Sequence, residues 1–323
     1  MIAAGARAHG ARDVSLTSAI VFAYSEVGVR CLRVLLAQGV KIPLLFTHAD
    51  DPGETQWFGS VERLALEHGL RVVTPDNPNT PEWIEAAGRE KPDFVFSFYY
   101  RYMLKAPLLA LPRLGALNMH GSLLPKYRGR APVHWAIIQG EVETGASLHY
   151  MVEKPDAGAL VDQQAIAILE NDTALEVSLK VAEAAETVLR RSLPALIAGT
   201  AKPRALDLGQ GSYFGRRRPE DGRIDWHKGA RAVHDLVRAV APPFPGAFTE
   251  VKGCRLEVLE TRLDSGACEY ASRAPCLYSA GGDWFADCVD GRRLKLSRLK
   301  IGQAPVTVKA PPSALLNQPV LLS

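Results

Sequence analysis

Residues 115–132, GALNMHGSLLPKYRGRAP, decide how the first half of the chain folds and where its chemistry lies. The mostly apolar run Gly115–Met119 is typical of a buried strand. Two polar side chains stand at its end, Asn118 and His120. On an extended backbone their spacing points both side chains to the same side. Three cations follow in the next loop: Lys126, Arg128 and Arg130. This arrangement predicts a functional site at the carboxyl edge of an α/β sheet.

Short apolar runs alternate with helical apolar spacing over the N-terminal half of the chain. The predicted strands are Ala19–Tyr24, Ile42–Thr47, Val72–Thr74, Phe94–Phe98 and Gly115–Met119. The predicted helices are Val29–Gln38 after a turn at 25–28, Val61–His68, one starting at Pro81, Pro107–Leu111 and Val133–Gln139. Such alternation predicts a doubly wound, mostly parallel, Rossmann-like sheet. Ala146–Val152 and Val161–Ile168 then read as neighbouring strands, and Thr173–Leu196 as a long helix interrupted only by Pro194.

The composition of the sequence changes near residue 207, where several glycines lie close to a run of arginines. We expect a flexible extension at 1–18, a catalytic domain at 19–206, a linker at 207–223 and a small domain at 224–323. One helix, Ala230–Val240, precedes short alternating strands such as Leu256–Leu263 and Arg293–Ile301. That order predicts a β-barrel-like domain of the OB type at the C-terminus.

Composition excludes several classes of function. The net charge of +3, from 38 basic and 35 acidic residues, is too balanced for a general nucleic-acid binder. No stretch approaches the ~20 apolar residues of a membrane span, and the first eighteen residues contain no apolar core of a secretory signal. The five cysteines form no C-x-x-C pair, which favours reduced thiols and a cytoplasmic location.

Two common kinds of site are also missing from the sequence. The first strand-to-helix turn contains a lone glycine, Gly28, where a dinucleotide fold needs G-x-G-x-x-G and a P-loop needs G-K-[ST]. No cluster of histidines or cysteines has metal-ligand spacing. A nucleotide-dependent dehydrogenase and a metal centre are therefore disfavoured.

Asn118, His120 and Asp156 form the candidate catalytic set. Asn118 and His120 could merely satisfy neighbouring backbone at a strand end, but two such donors would also suit an oxyanion that develops during acyl transfer. Asp156, in a turn between two strands, is by itself an ordinary turn residue. Beside His120 its carboxylate would raise the pKa of that imidazole, orient it, and receive a proton.

With these residues identified, the chain resembles the folate-dependent formyltransferases. The shared pattern is Asn118-x-His120, the Ser122–Pro125 string SLLP, and Asp156-Ala157-Gly158. Several strings are similar to the formyltransferase half of bifunctional polymyxin-resistance proteins: FAY at 22–24, FSFYYR at 96–101, LLPKYRGRAP at 123–132, FGRR at 214–217, WHK at 226–228 and PGAF at 245–248. The resemblance starts near Ala19, is densest through 94–160 and thins after Val251.

The resemblance implies transfer of a formyl group from 10-formyltetrahydrofolate to the 4-amino group of UDP-4-amino-4-deoxy-L-arabinose, a step toward lipid A modification and polymyxin resistance. It implies catalysis by Asn118, His120 and Asp156. Implied folate contacts are Tyr102, Met103, Leu104, Arg130, Val152, Glu153, Lys154, Pro155 and Asp156. For the sugar nucleotide we expect Tyr100, and also Arg216 and Arg217, because guanidinium groups suit phosphate oxygens. Those linker arginines could equally be solvated surface.

The expected partners are thus a folate and a UDP-amino sugar, without a metal, a nucleic acid or membrane insertion. Bifunctional members carry a further decarboxylating dehydrogenase domain that has no counterpart here, so we expect a separate protein to perform the preceding step. Methionyl-tRNA formyltransferase and other sugar-nucleotide N-formyltransferases are the nearest rivals. A non-catalytic folate- or nucleotide-binding module would not need all three of Asn118, His120 and Asp156.

Overall fold

The computed structural model describes residues 17–50, 55–269, 274–302, 304–306 and 319–322. Seven strands form the first sheet: β1 Ser18–Ala23, β2 Lys41–Phe46, β3 Val72–Val73, β4 Phe94–Phe98, β5 Gly115–His120, β7 Glu143–Tyr150 and β8 Leu160–Ala167. Their order is β3-β2-β1-β4-β5-β7-β8. The first five are parallel, and β7 and β8 are antiparallel to their neighbours. The predicted mostly parallel α/β sheet is confirmed.

Helices cover both faces of this sheet. They are α1 Ser25–Ala37, α2 Val61–Glu67, α3 Pro81–Arg89, α4 Ala106–Leu109, α5 Pro132–Ile138 and α6 Ala174–Ala198. On β1, Val21 packs into the core beneath α1 and α6, whereas Phe22 packs into the core beneath α3 and α4. Because successive side chains of a strand point to opposite faces, both faces must be apolar and covered. Because β1, β4 and β5 are parallel, their carboxyl ends lie together at one open edge of the sheet.

The second domain consists of α7 Ala230–Val240 and an antiparallel sheet. Its strands are β10 Ala247–Val251, β11 Cys254–Asp264, β12 Cys276–Ala280, β13 Asp283–Asp287, β14 Arg293–Ile301, β15 Ala304–Val306 and β16 Val320–Leu321. The sheet curls into a half-barrel in the order β10-β11-β14-β13-β12-β16, with β15 beside β14. Its core packs Trp226 and Val233 against the inward side chains of the strands. The predicted C-terminal β domain is confirmed.

Helix α6 continues through Pro194 to Ala198, although the sequence predicts an end near Leu196. Proline has no N–H to donate to the carbonyl four residues earlier. The side chain of Gln38 donates to that carbonyl of Arg190 instead, at 3.1 Å. This external donor from α1 explains how the helix tolerates the proline.

One other prediction needs correction. Helix α1 starts at Ser25, where the sequence predicts a turn through Gly28; Ser25 itself takes a φ of 63° at the sharp exit from β1. The predicted linker contains a two-residue strand, β9 Tyr213–Phe214, parallel to β6 Arg128–Gly129. The prediction of a flexible extension at 1–18 lies outside the described residues except for Thr17 and Ser18, and Ser18 already belongs to β1.

Candidate active site

Strand β5 delivers two polar side chains to the open edge of the sheet. Asn118 and His120 lie two positions apart on it, and both line a cleft. Strand β7 runs antiparallel beside β5 and pairs His149 with Asn118. Directly paired residues of antiparallel strands share a face of the sheet. A second imidazole therefore lies beside the Asn118 amide.

Asp156 joins this group from the turn between β7 and β8. Its Oδ1 lies 3.4 Å from Nδ2 of Asn118 and 3.6 Å from Nδ1 of His120. Its Oδ2 accepts a 2.9 Å hydrogen bond from the backbone N–H of Gly129. The amide, the imidazole and the carboxylate thus surround one point in the cleft.

The Asp156 carboxyl is held in its charged form. Burial raises its pKa, but the neighbouring His120 ring and the hydrogen bond from the Gly129 N–H lower it, and the net pKa lies well below the ordinary value. A carboxylate with so low a pKa is a weak base. Asp156 therefore suits orienting and stabilising an imidazolium better than receiving the proton of an amine, the other role that the sequence suggests.

The His120 ring is fixed by the basic loop. Its Nε2 lies 2.8 Å from the backbone carbonyl of Tyr127, which can only accept a hydrogen bond. Nε2 therefore carries a proton, and Nδ1 is the nitrogen that faces Asp156. An imidazolium would donate from Nδ1 toward the same point that the Asn118 amide faces.

His149 is the member of the group that the sequence analysis misses. Its Nε2 lies 3.4 Å from Oδ1 of Asp156 and 3.3 Å from Nδ2 of Asn118. The available signal was its place in the alternating segment Ala146–Val152, seven residues before Asp156. The alternation predicts which face of its strand the His149 ring occupies. It does not predict that this strand, β7, pairs with β5.

The linker strand β9 holds the basic loop in position. The backbone N–H of Arg130 donates to Phe214 O at 2.9 Å, and the rings of Tyr127 and Phe214 stack at 5.3 Å. Gly129, between these residues, has a φ of +99°. An added Cβ there would lie 2.2 Å from Phe214 O, so only glycine fits. The linker therefore fixes the Tyr127 carbonyl, which His120 contacts, and the Gly129 N–H, which donates to Asp156.

The cleft has a volume of about 570 Å³. The predicted ligand contacts that line it are Tyr100, Tyr102, Met103, Leu104, Arg130, Val152, Pro155 and Asp156. Glu153, Lys154, Arg216 and Arg217 are not among its lining residues. Arg217 packs instead over the Trp135 ring, 5.3 Å from the ring centroid, and donates to the carbonyl of Asp221.

Tyr24, Tyr100 and Tyr102 line one wall of the cleft near the ends of β1 and β4, and His48 packs against this wall without being a lining residue. His48 stacks on Tyr100 with a centroid distance of 4.3 Å and meets Tyr102 edge-on at 5.1 Å. Burial, followed by the nearby Arg101 charge, lowers the pKa of His48 to about 4, so this ring is neutral. A wall of neutral rings suits a flat heteroaromatic ligand. None of the expectations from sequence includes His48.

Backbone strain concentrates around the cleft. Ser25, Tyr99, Ala131 and Asp156 have φ values between 50 and 63°, and all four line it. Non-glycine residues adopt this region only when the surrounding structure requires it, and such residues cluster at functional sites. The strain supports a site at this edge independently of the polar side chains.

Among the described residues, no group of three or more histidine, cysteine, aspartate or glutamate side chains has an arrangement that could hold a metal ion. In the same parts of the chain, no helix has both the length and the apolar character needed to cross a bilayer. The ligands that the sequence predicts for this cleft are a folate and a sugar nucleotide.

Several solved structures share this fold. An N-formyltransferase from Helicobacter canadensis, solved with folinic acid and dTDP-3-aminofucose, aligns with a TM-score of 0.70 at 20% identity, over 87% of this chain and 99% of that one. A sugar N-formyltransferase from a Shewanella species aligns with a TM-score of 0.61 at 21% identity, over 79% and 100%. HypX from Aquifex aeolicus aligns with a TM-score of 0.61 at 17% identity, over 90% of this chain and 46% of its own.

The sequence itself matches both domains of one enzyme family. Residues 35–193 match the formyl transferase domain, and residues 217–310 match the formyl transferase C-terminal domain. The two matches fall on the α/β domain with its cleft and on the second domain with part of the preceding linker. The chain therefore belongs to the formyl transferase family of enzymes.

Proposed function

We propose that this enzyme transfers the formyl group of 10-formyltetrahydrofolate to the amino group of a nucleotide-linked amino sugar, with UDP-4-amino-4-deoxy-L-arabinose as the acceptor. Lipid A modification and polymyxin resistance would be the process it serves, in the cytoplasm. The observation that carries the proposal is the meeting of Asn118, His120 and Asp156 at one point of an aromatic-walled cleft.

The proposed ligands are consistent with the neighbouring structures. The Helicobacter enzyme was solved with folinic acid and dTDP-3-aminofucose. WlaRD, a sugar 3N-formyl transferase, was solved with dTDP and 5-N-formyl-THF. It aligns with a TM-score of 0.67 at 18% identity, over 87% of this chain and 97% of that one. In our proposal the folate contacts Arg130 and the residues around Met103. Tyr100 contacts the sugar nucleotide, whereas Arg217 stabilises the linker.

In the proposed reaction the neutral sugar amine attacks the formyl carbon. The carbonyl oxygen becomes an oxyanion, which accepts hydrogen bonds from Nδ2 of Asn118 and from Nδ1 of a protonated His120. Preorganised donors of this kind stabilise the transition state more than the ground state. The bond from carbon to the anilinic nitrogen of the folate then breaks, and that nitrogen gains the proton that the amine loses.

Asp156 supports this chemistry as a permanent negative charge. The carboxylate lies beside Nδ1 of His120, so it stabilises the imidazolium form that donates to the oxyanion. Its depressed pKa keeps it ionised through the neutral range. The amine must itself be neutral, and an alkyl amine like that of lysine has a pKa of about 10.4, so deprotonation of the acceptor is part of the barrier.

The acceptor is tested by direct comparison. The purified chain is incubated with 10-formyltetrahydrofolate and, in separate reactions, with UDP-4-amino-4-deoxy-L-arabinose, dTDP-3-aminofucose and charged initiator tRNA, and products are identified by mass spectrometry. We expect the highest kcat/KM for the UDP-sugar and no product on tRNA. Preference for the dTDP-sugar would replace the acceptor within the same reaction class. Formylation of tRNA alone would refute the proposal.

A further inference from the structure

His149 is a buried titratable side chain at the site that the proposed reaction does not use. Only 1% of its surface is exposed. Its Nδ1 lies 2.8 Å from the backbone carbonyl of Tyr150, and its Nε2 lies within 3.4 Å of both Asn118 and Asp156. A buried ring held at both nitrogens, and paired across the strands with a candidate catalytic amide, has a defined orientation.

The contact with Tyr150 settles which nitrogen carries the proton. A carbonyl oxygen accepts hydrogen bonds and cannot donate, so Nδ1 is the protonated nitrogen of the neutral ring. Nε2 then has a lone pair, which accepts a hydrogen bond from Nδ2 of Asn118 at 3.3 Å. Gly158 allows the Tyr150 carbonyl to lie here, because a Cβ at that glycine would be 1.9 Å from the carbonyl oxygen.

The same lone pair determines the orientation of the Asn118 amide. A side-chain amide presents NH₂ on one side and an oxygen on the other, and the two are similar in size. Nε2 of His149 and Oδ1 of Asp156 are both acceptors, so together they attract the NH₂ group and repel the amide oxygen. The two acceptors thus keep the NH₂ group, rather than the amide oxygen, at the point where the side chains meet.

We propose that His149 is a positioning residue for formyl transfer: as a neutral Nδ1–H imidazole it accepts from Asn118 and holds the amide with NH₂ toward the reacting oxygen. This inference rests on the proposed function. Asp156 thus lies between two imidazoles with different tasks, His120 as the donor and His149 as the acceptor. In this role His149 acts through Asn118.

A double-mutant cycle separates positioning from general support of the fold. His149→Leu removes the acceptor with a side chain of similar bulk, and we expect kcat to fall about 10- to 100-fold with little change in either KM. In the Asn118→Ala background the same substitution should change kcat less than about twofold, because the group it positions is absent. His149→Gln, whose amide oxygen can accept in place of Nε2, should restore a large part of the lost rate.

A matched control replaces a buried histidine outside the cleft. His234 is fully buried and hydrogen-bonds Thr261 and the carbonyl of Glu170, at the contact between the two domains. His234→Leu should lower stability while kcat stays near that of the unaltered enzyme. If His149→Leu lowers kcat by the same factor with and without Asn118, or if His149→Gln is no better than His149→Leu, the inference is wrong.

A measurement without substrates distinguishes failure of this inference from failure of the proposed function. The ¹⁵N resonances of the His149 ring in the folded protein should show a protonated Nδ1 and an unprotonated Nε2 at neutral pH. A protonated Nε2 overturns the positioning inference whatever the acceptor. If the wild-type chain formylates none of the three acceptors, the proposed function fails instead, and the role of His149 in it fails with it.

Discussion

At the scale of single residues, the site depends on main-chain carbonyls that fix two histidine rings. The Tyr127 carbonyl accepts a hydrogen bond from Nε2 of His120, and the Tyr150 carbonyl accepts one from Nδ1 of His149. Each ring therefore presents its other nitrogen to Asp156. The carboxylate and the two carbonyls together orient the two rings beside the Asn118 amide.

Replacing Asn118 tests the oxyanion role at this scale. Loss of one preorganised donor typically costs about 10²–10³ in rate. We expect Asn118→Ala to lower kcat by that factor and to leave the folded structure intact, because the side chain lies at the edge of the cleft rather than in the core. Single-turnover kinetics and circular dichroism measure the two quantities. Near-normal turnover in a folded variant would remove Asn118 from the chemistry.

The depressed pKa of Asp156 predicts how stability depends on pH. A carboxyl whose pKa is lower in the folded state stabilises the fold above its unfolded pKa of about 3.9, and that contribution disappears as pH falls toward the folded pKa. Asp156→Asn should therefore lower the unfolding free energy at pH 6, and the difference from wild type should shrink below about pH 4. Urea denaturation at several pH values measures this. A difference that stays constant across the acid range would contradict the stated pKa direction.

At the scale of elements, the active-site loop is completed by the segment that joins the two domains. Strand β9 pairs with β6, and Phe214 stacks between Tyr127 and Trp135 with centroid distances of 5.3 and 5.0 Å. The loop that contacts His120 and Asp156 thus depends on residues about eighty positions later in the chain. A segment that the sequence predicts to be a linker is therefore part of the framework of the candidate site.

Gly129→Ala tests this dependence. The added Cβ would meet Phe214 O at 2.2 Å in a left-handed backbone, so the two strands must separate and the N–H that Asp156 accepts must move. We expect a loss of kcat of at least about tenfold, because small displacements of catalytic groups cost one to two orders of magnitude. The control is Gly69→Ala, which has a similar backbone strain but no atom within 4 Å. Equal activity of the two variants would show that the strand pair does not matter.

The fold could be predicted from the sequence where local pattern determines structure. Strand β4 and helix α7 have the predicted bounds, because apolar runs and helical periodicity are properties of the segment itself. Contacts between distant segments were harder to predict. The pairing of His149 with Asn118 depends on an antiparallel register, and the two-residue pairing of β6 with β9 is too short to leave a periodic signal. Arg216 and Arg217 were expected near the ligand because guanidinium groups suit phosphate oxygens, but they lie outside the cleft lining.

At the scale of the whole molecule, the domains are joined by hydrogen bonds from one buried guanidinium as well as by the linker. Arg238 on α7 is 4% exposed, pairs with Asp235 at 2.7 Å, and donates to the carbonyls of Leu169 and Asp172 in the first domain. Phe244 of the second domain lies against His134 with a centroid distance of 4.4 Å and lines the cleft. The second domain therefore contributes a wall to the site.

Arg238→Met tests how strongly the contact holds the domains together. Removing one partner of a buried pair typically costs about 3–5 kcal/mol, because a charge is left buried and unpaired. Arg231 also pairs with Asp235 at 3.0 Å, so we expect a loss of unfolding free energy near the lower end, about 3 kcal/mol. Arg63→Met, at an exposed pair with Glu67, should cost about 1 kcal/mol or less. Equal losses in denaturant titrations would contradict the role of Arg238.

We propose that the Asn118 amide and the His120 imidazole, held by the Asp156 carboxylate, transfer a formyl group to the amine of a sugar nucleotide. The most direct measurement follows a UDP-aminopentose and 10-formyltetrahydrofolate with wild type and with His120→Ala, and identifies the product by mass spectrometry. We expect an N-formylated sugar nucleotide and an equal amount of tetrahydrofolate from wild type, and at least about 10²-fold less from the variant. Equal product from both proteins, or tetrahydrofolate without a formylated sugar, would contradict the account.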